Sequence, residues 1–468
     1  MLTRIRLENF KSWERLDLEL GNITILFGTN SSGKTSALDA LLLLKQTATS
    51  FDRALPMNLG GGEQDYVDFG SFKDLVFQHK VSKHVGLALE WEPQLLRRRF
   101  GIWADDKPEI SKVTYYVKWR RIGDHVVVDE LEYNAESPQE IDTRMKLKHY
   151  ESGRYEFILP ANIDEGDEVS GQQTRLEGGE EPSTKYFHLE SCYLMPRFLT
   201  RNLRLTVEPS LFIREFELLM RQIAYLGPLR EYPRRLYFWR GTAPRELGHK
   251  GEKTIDVLLT SERRVPSYWS RERSRHLISD VSEWLKHMGL VEEFGIEPIG
   301  SERRFYETRV KTGEKQILSS LADVGFGVSQ VLPVITLLFF VPEGSIVLME
   351  QPEIHLHPCA QASLADLFLH VAETRHLQLI VESHSEYFLR RLQRRVAEAE
   401  HGFAIPEHIK MYFCKVVGGR SVAGPVEIDR YGQIENWPEN FFGEVTEDLH
   451  AMTDAALERR RQELSQDE

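Results

Sequence analysis

Hydrophobic and polar residues alternate in the first twenty positions as they do in half-buried strands. Ile5 and Leu7 alternate with polar residues, and the apolar positions in residues 16–20 do the same. Residues 23–27 are nearly all apolar and β-branched or aromatic, which is typical of a strand buried on both faces. The pattern predicts three strands, arranged as a meander whose last strand leads into a glycine-rich segment.

Other parts of the chain carry the spacing of helices. Apolar residues recur at helical intervals between Ser36 and Thr49, and the segments 212–223 and 279–288 are also predicted to be helical. Residues 85–159 and 303–310 have strand-like patterns, and residues 164–181 are acidic and glycine-rich, which predicts a solvated loop. Two late apolar segments, at 344–350 and 377–381, are predicted to be buried strands. Strands and helices in this order indicate the α/β class.

A phosphate-binding pattern lies between the strand at 23–27 and the helix that follows it. Residues 28–35 match G-x-x-x-x-G-K-[ST] at every fixed position. Gly28 and Gly33 allow backbone N–H groups to turn toward phosphates, and the helix N-terminus adds its dipole. Lys34 supplies a charge for the β- and γ-phosphates, and the Thr35 hydroxyl is a ligand for Mg²⁺. The sequence therefore predicts a nucleoside triphosphate site, with these candidate contacts: Gly28, Asn30, Ser31, Ser32, Gly33, Lys34, Thr35 and Ser36.

The late strands supply candidates for the other half of such a site. The strand at 344–350 ends in Glu350, a carboxylate suited to hold Mg²⁺ opposite Thr35, and Gln351 and Glu353 follow it. His384 follows the strand at 377–381 and is a candidate contact for the γ-phosphate. Gly325 and Gly327 precede an apolar helical run, and glycines before a helix N-terminus favour anion binding.

Composition limits the classes of protein that are compatible with this chain. The 468 residues carry a net charge of −13, are 41% hydrophobic, and contain three scattered cysteines that indicate neither a disulfide framework nor a zinc site. The longest apolar run, residues 331–341, is interrupted by Pro333 and is too short to span a bilayer. We expect a cytoplasmic protein that does not insert into a membrane.

One stretch has the opposite charge. Between Arg221 and Arg275 there are 13 lysine or arginine residues and 6 acidic residues, with several aromatic residues among them. Arginine neutralises phosphate and aromatic rings stack on bases, so contact with DNA is one interpretation. Pairing of these arginines with acidic residues of the ATPase body or of a partner protein is the other.

The layout resembles that of the ABC-type ATPases of the RecF, SMC and OLD group. The segments that carry the resemblance, in particular to a bacterial branch of OLD-like predicted ATPases without a Toprim domain, are FGTNSSGKTS, YLGPLREYP, VGFGVSQVLPV, EQPEIHLHP, ESHSEYFL and IDRYGQIENWPENFFGE. The resemblance implies an α/β ABC-type ATPase head, a mixed sheet with flanking helices. Its expected parts are an N-lobe with the Walker A motif (1–90), a β-rich insertion (91–210), a basic connecting region (211–315), a C-lobe (316–400) and a C-terminal block with a charged tail (401–468).

The resemblance also implies roles for individual residues. Lys34 and Thr35 would contact phosphate and Mg²⁺, and Glu350 would be the Walker B ligand of Mg²⁺. Gly327, Ser329 and Gln330 would form the signature, which acts on the ATP of the opposite subunit, while His357 would lie in the D-loop and His384 would be the switch histidine. Such ATPases hold two ATP molecules between two heads, so a homodimer or larger assembly is expected.

Two departures from the group's pattern affect the expected chemistry. Gln351 stands where a glutamate usually polarises the attacking water, so either Glu353 replaces that base or hydrolysis is slow. Ser329 stands where the signature usually has a glycine. No Asp-x-Asp follows His384, so a Toprim nuclease domain is not expected, and any cutting of nucleic acid would fall to a separate effector. The resemblance suggests a nucleotide-driven switch for such an effector in antiphage defence; a RecF-like DNA repair ATPase is the alternative.

Overall fold

The computed structural model describes residues 1–52, 55–62, 65–94, 110–137, 143–150, 154–158, 186–187, 192–193, 209–262, 277–301, 304–313, 317–399, 405–438, 450–457 and 459. The strands are β1 (Leu2–Phe10), β2 (Trp13–Glu19), β3 (Ile23–Gly28), β4 (Val85–Trp91), β5 (Lys112–Ile122), β6 (His125–Glu136), β7 (Thr143–Tyr150), β8 (Arg154–Ile158), β9 (Tyr186–Phe187), β10 (Ile223–Leu226), β11 (Tyr237–Phe238), β12 (Glu293–Ile299), β13 (Phe305–Thr312), β14 (Ile317–Ser320), β15 (Ile346–Glu350), β16 (Gln378–Glu382), β17 (Ile409–Val417) and β18 (Arg420–Pro425). The helices are α1 (Lys34–Thr49), α2 (Phe72–Leu75), α3 (Pro209–Gln222), α4 (Thr254–Glu262), α5 (Leu277–His287), α6 (Phe326–Phe340), α7 (Pro358–Arg375) and α8 (Glu386–Glu398).

An antiparallel sheet collects the N-terminal strands and the predicted β-rich segment. Its strand order is β2-β1-β4-β5-β6-β7-β8-β9. In β5 the residues Val113, Tyr115, Val117 and Trp119 are buried and alternate with polar neighbours, which is the period-two pattern of a sheet with one covered face. The strand pattern predicted for residues 85–159 is confirmed where that segment is described, and the predicted acidic loop at 164–181 lies outside the described residues.

A mostly parallel sheet carries the phosphate-binding strand. Its order is β10-β15-β16-β3-β17-β18, and β18 alone runs antiparallel to its neighbour. The predicted meander of the first three strands is therefore wrong in its last step, because β3 leaves β1 and β2 and pairs with β16 and β17. The physical reason is burial: β3 is apolar on both faces, as a central parallel strand must be, whereas β1 and β2 alternate.

Two hydrophobic cores cover the two faces of the parallel sheet. On one face α1 and α3 lie between this sheet and the antiparallel sheet, and Leu348 and Ile380 point into that core. On the other face α4 to α8 pack against Val347 and Val381. A small third sheet, formed by β11 to β14, borders the second core. The predicted α/β class, with mixed sheets and flanking helices, is confirmed.

The predicted domain boundaries remain predictions, although several of the expected parts contribute to one sheet. The basic connecting region supplies β10, and the C-terminal block supplies β17 and β18. Within the described residues, no helix is long and apolar enough to cross a bilayer, and the apolar helix α6 has 15 residues.

Gln378, at the start of β16, ties the two sheets together. Its Nε2 donates to the carbonyl oxygens of Leu2 at 2.6 Å and Gly21 at 2.9 Å, and its Oε1 accepts from the backbone N–H of Leu2 at 2.9 Å. All three contacts are buried, so they are made in surroundings where water is not available as a substitute partner.

Replacing Gln378 by Leu is expected to lower the stability of the chain. The substitution leaves three buried backbone groups without this partner, and each unpaired group costs about 1–3 kcal/mol. We expect a clear fall in the thermal unfolding midpoint, measured by circular dichroism. Gln222→Leu is the matched control, because Gln222 makes an exposed hydrogen bond with Gln94; equal midpoints for the two variants would contradict the prediction.

Candidate functional site

The phosphate loop joins the end of β3 to the start of α1, at the carboxyl edge of the parallel sheet. Gly28 has a φ of +142°, and a Cβ atom there would lie 2.0 Å from the carbonyl oxygen of Cys414 on β17. A side chain therefore has no room at this position. Ligand sites in open α/β sheets lie at this edge, so the loop occupies the expected place in the fold.

The N-terminus of α1 points its backbone donors into the loop. Gly33 is the N-cap in the left-handed conformation, and no side chain among the described residues forms a capping hydrogen bond there. Its carbonyl oxygen accepts from Trp13 Nε1 at 3.0 Å, which holds the turn in place. The first N–H groups of α1 are thus available to an anion. Asn30 and Ser31 form the exposed rim of the loop, while Ser32 is buried.

Lys34 is buried inside the loop, with 3% of its surface exposed. Its Nζ donates to the carbonyl oxygens of Gly28 at 3.1 Å and Thr29 at 2.8 Å, and it lies 3.9 Å from Glu382 Oε1. Burial lowers the pKa of Lys34, and the charge of Glu382 opposes this. The loop therefore holds a poorly solvated cation next to its N–H groups.

Glu382, at the end of β16, is the carboxylate next to Thr35. The Thr35 hydroxyl donates to Glu382 Oε2 at 2.7 Å. Burial raises the pKa of Glu382, whereas its contacts with Thr35 and Lys34 lower it. No role was predicted for Glu382 from the sequence. One signal for a second carboxylate was present, because two late strands each end in a glutamate.

Glu350, at the end of β15, lies directly beside Glu382. The two residues are paired in the register of neighbouring parallel strands, and both point to the face that carries α1. Glu350 Oε1 accepts from the Tyr225 hydroxyl at 2.6 Å. Burial raises the pKa of Glu350 to about 7, a rise that the Tyr225 hydrogen bond opposes and that the charges of Glu382 and Asp39 increase.

The segment after β15 brings Gln351 and Glu353 toward His384, the predicted switch histidine. Gln351 has a φ of +44°, and its N–H donates to the carbonyl oxygen of Glu382 at 2.8 Å. Glu353 is buried, which raises its pKa, and its Oε1 accepts from the backbone N–H of His384 at 2.7 Å. Burial and the nearby Lys34 lower the pKa of His384, whose Nε2 lies 4.0 Å from Glu382 Oε1.

The residues predicted to form the signature lie at the start of α6. A Cβ atom at Gly327 would lie 3.1 Å from the carbonyl oxygen of His355, so this turn packs closely on the segment that precedes α7. Ser329 and Gln330 are buried, and the Ser329 hydroxyl donates to the carbonyl oxygen of Phe326 at 2.8 Å. Among the described residues, no hydrogen bond joins the signature to the phosphate loop. His357 is the N-cap of α7.

Arg230 belongs to the predicted basic stretch but lies in the interior, 5% exposed. Its guanidinium donates to the carbonyl oxygens of Glu350 and Gln351, each at 2.9 Å. Burial lowers the pKa of Arg230 to about 10, against the opposing charges of Glu353 and Glu350. From the sequence Arg230 was predicted only to be one of 13 basic residues in this stretch, and its position at the end of β15 was not predicted.

Other arginines of the stretch are paired within the chain. Arg221 lies 3.8 Å from Glu217, Arg234 pairs with Glu231, and Arg235 donates to Asp323 at 2.8 Å. The Arg235–Asp323 pair joins the stretch to another part of the chain, as the second interpretation of the basic stretch predicts, whereas the other two pairs are local. Residues 263–275, with Arg263, Arg264, Arg271, Arg273, Arg275, Tyr268 and Trp269, lie outside the described residues.

Replacing Arg230 by Met is expected to lower both stability and ATP turnover. Two buried carbonyl oxygens then lose their donor, at a cost of about 1–3 kcal/mol each, and the backbone beside Glu350 is held less firmly. Thermal melting and steady-state phosphate release would measure the two effects. The control is Arg234→Met, an exposed arginine from the same segment; an identical response from both variants would argue against this role of Arg230.

Comparison with known proteins agrees with the geometry of the site. A family model described as "AAA ATPase domain" matches residues 1–160, and one described as "AAA domain, putative AbiEii toxin, Type IV TA system" matches residues 197–390. A third, "Protein of unknown function (DUF3696)", matches residues 405–452. No curated protein sequence matches the chain.

Solved structures of SMC head domains are similar in overall course. An SMC head bound to the C-winged helix domain of ScpA is 12% identical, with 92% of this chain and 98% of that chain covered and a TM-score of 0.44. The SMC head domain from Thermotoga maritima is 12% identical, with 91% and 99% covered and a TM-score of 0.37. An Smc head with an extended coiled coil, bound to the C-terminal domain of ScpA and derived from Pyrococcus furiosus, is 11% identical, with 91% and 96% covered and a TM-score of 0.43.

These TM-scores are too low to carry an argument about this chain, which leaves the two ATPase models and the geometry of the site. The model that matches residues 1–160 covers the phosphate loop, and the model that matches residues 197–390 covers the strands that end in Glu350 and Glu382. Residues 161–196 lie between the two matches. Both halves meet in one parallel sheet at the carboxyl edge. The residues that the two ATPase models match therefore form one P-loop ATPase fold, with the phosphate loop and two strand-end carboxylates at the same edge.

Proposed function

We propose that this chain binds Mg-ATP at residues 28–36 and hydrolyses it in a dimer of two heads, as a switch that controls a partner protein. The observation that carries the proposal is the buried Lys34, which is held by backbone groups of its loop and lies beside Glu382, whose neighbour in register is Glu350. A cation, free N–H groups and carboxylates at one sheet edge match the charges of a nucleotide triphosphate and its metal ion.

The residues around Thr35 fit Mg²⁺, which prefers oxygen ligands and is usually held through one or two carboxylates together with phosphates. The Thr35 hydroxyl and the Glu350 carboxylate are the ligands proposed from the sequence. When bound, the ion would neutralise charge that develops on the phosphate oxygens. Lys34 and the N-terminus of α1 would bind the phosphates through charge and N–H donors.

Two residues near the end of β15 are the candidates for activating water. The Gln351 amide can orient a water molecule but cannot take its proton. Glu353 uses one oxygen to hold the backbone of His384, and its Oε2 has no hydrogen-bond partner in the described part of the chain. Burial raises the pKa of Glu353, which suits a general base. We therefore propose Glu353 as the base, with slow hydrolysis as the alternative, and His384 as a γ-phosphate contact.

A second copy of the chain is the proposed partner of the α6 start. Phe326, Tyr232 and Leu229 are 50%, 71% and 74% exposed, and the rings of Tyr232 and Phe326 lie 5.4 Å apart. This apolar surface lies beside Gly327, Ser329 and Gln330, whose proposed target is the nucleotide of the other head. Covering it in a homodimer would remove exposed apolar area from water.

The partner controlled by the switch is proposed from the resemblance to OLD-like ATPases. We propose that the switch controls a separate nuclease-like effector. The proposed setting is antiphage defence in the cytoplasm. The intramolecular ion pairs of Arg234 and Arg235 do not favour the alternative of a RecF-like DNA repair ATPase.

Replacing Lys34 by Ala is expected to weaken ATP binding about ten- to a hundredfold. A hydrogen bond to a charged group contributes about 1.5–3 kcal/mol, and each 1.4 kcal/mol is a factor of ten. Titration of the purified chain with a fluorescent ATP analogue would measure this. Lys80→Ala, which changes an exposed lysine, is the control; unchanged affinity in Lys34→Ala would remove the basis for the nucleotide site.

Replacing Phe326 by Glu is expected to prevent ATP-dependent dimer formation while the single chain still binds ATP. A charge in the middle of the proposed apolar contact would have to be desolvated. Light scattering with and without a non-hydrolysable ATP analogue would give the mass in solution. Ile122→Glu, at the β5–β6 hairpin, is the control, since Ile122 is also exposed. A mass that does not change with nucleotide in the unaltered protein would contradict the dimer switch.

A further inference from the structure

We infer that Glu382 holds the magnesium ion of the bound nucleotide together with Thr35, and that Tyr225 keeps Glu350 in place beside it. This inference depends on the proposed Mg-ATP function. It specifies which carboxylate binds Mg²⁺ and is therefore needed for Mg²⁺ to strengthen ATP binding. Glu350, the expected Walker B ligand, would then lie beside the metal ligand Glu382, which is the carboxylate nearer to the phosphate loop.

The position of Glu382 relative to the loop is the first observation. One of its oxygens accepts from the Thr35 hydroxyl at 2.7 Å, and the other lies 3.9 Å from Lys34 Nζ. Both groups belong to the fixed positions of the phosphate-binding pattern. β16, which ends in Glu382, is also the strand directly beside β3, whereas β15 is one strand further away. Strand order therefore brings Glu382 closer to the loop than Glu350.

The hydrogen bonding of Glu350 is the second observation. Its Oε1 accepts from Tyr225 on β10, the strand on the side of β15 away from the phosphate loop. Arg230 fixes the carbonyl oxygen of the same residue. The Glu350 side chain is thus hydrogen-bonded to β10, whereas the Glu382 side chain is hydrogen-bonded to α1. Two carboxylates in adjacent register on one face of the sheet repel each other, and a divalent cation held by Glu382 would weaken this repulsion.

A purely structural role of Glu382 makes a different prediction. If Glu382 only balances the charge of Lys34, its loss would change ATP binding to the same degree with and without Mg²⁺. If Glu382 holds the ion, its loss would reduce the effect of Mg²⁺. In the absence of the metal, removing a negative charge beside the phosphates would leave ATP binding equal or make it tighter, because like charges repel.

The experiment measures the affinity of the full chain for a fluorescent ATP analogue, first in EDTA and then in excess Mg²⁺. The ratio of the two dissociation constants is compared between the unaltered chain, Glu382→Gln, Glu350→Gln and the control Glu398→Gln, an exposed residue at the end of α8 that pairs with Arg394. For Glu382→Gln we expect affinity in EDTA to be equal or tighter and the Mg²⁺ enhancement to fall about 10- to 100-fold, the range seen when metal-site residues are changed. Glu398→Gln should keep the enhancement of the unaltered chain.

Three outcomes would overturn the inference. The first is that Mg²⁺ strengthens ATP binding to Glu382→Gln as much as to the unaltered chain. The second is that this strengthening is lost in Glu350→Gln alone. The third is that Glu382→Gln binds ATP more weakly by the same factor in EDTA and in Mg²⁺. If Glu382→Gln does not fold, Glu382→Asp keeps the charge but shortens its reach, and it should lose enhancement with unchanged affinity in EDTA. Failure of the proposed function gives a separate result, since the unaltered chain would then bind no ATP in either condition.

Discussion

The site depends on keeping one lysine charged in the interior of the protein. Burying an ammonium group is costly unless carbonyl oxygens and an opposite charge surround it, and Lys34 has both. The carbonyl oxygens come from its own loop, so that loop must curl back on itself, which Gly28 permits. The opposite charge comes from Glu382, so β16 must lie next to β3. The curl of the loop and the order of the strands are therefore both conditions for a stable cation at this edge.

Local features of the site could be predicted from the sequence because they depend on neighbours in the chain. The phosphate loop follows from its motif, and the strands before Glu350 and Glu382 follow from short buried apolar runs. The contact between Thr35 and Glu382 could not be predicted, because it depends on strand order, which no local pattern contains. The same limit explains the error in the meander, since β3 was placed beside its neighbour in sequence.

The segment from Tyr225 to Arg235 connects the nucleotide edge to the start of α6. At one end Tyr225 bonds the Glu350 side chain and Arg230 bonds its backbone; at the other Tyr232 packs on Phe326, and Arg235 pairs with Asp323. Composition indicated a basic stretch here, and hydrogen bonding to carbonyl oxygens allows its Arg230 to be buried. A shift at the end of β15 would therefore be transmitted to the start of α6 through direct contacts.

The parallel sheet joins parts of the chain that are made at very different times during synthesis. Leu2 bonds Gln378, 376 residues later, and β3 pairs on one side with β16 and on the other with β17. On the ribosome, β3 therefore leaves the exit tunnel long before either of its partners exists, while β1 and β2 can pair at once. The apolar β3 must be shielded during this interval, which makes the nascent chain a candidate for chaperone assistance and a chain truncated before β16 unable to complete its nucleotide site.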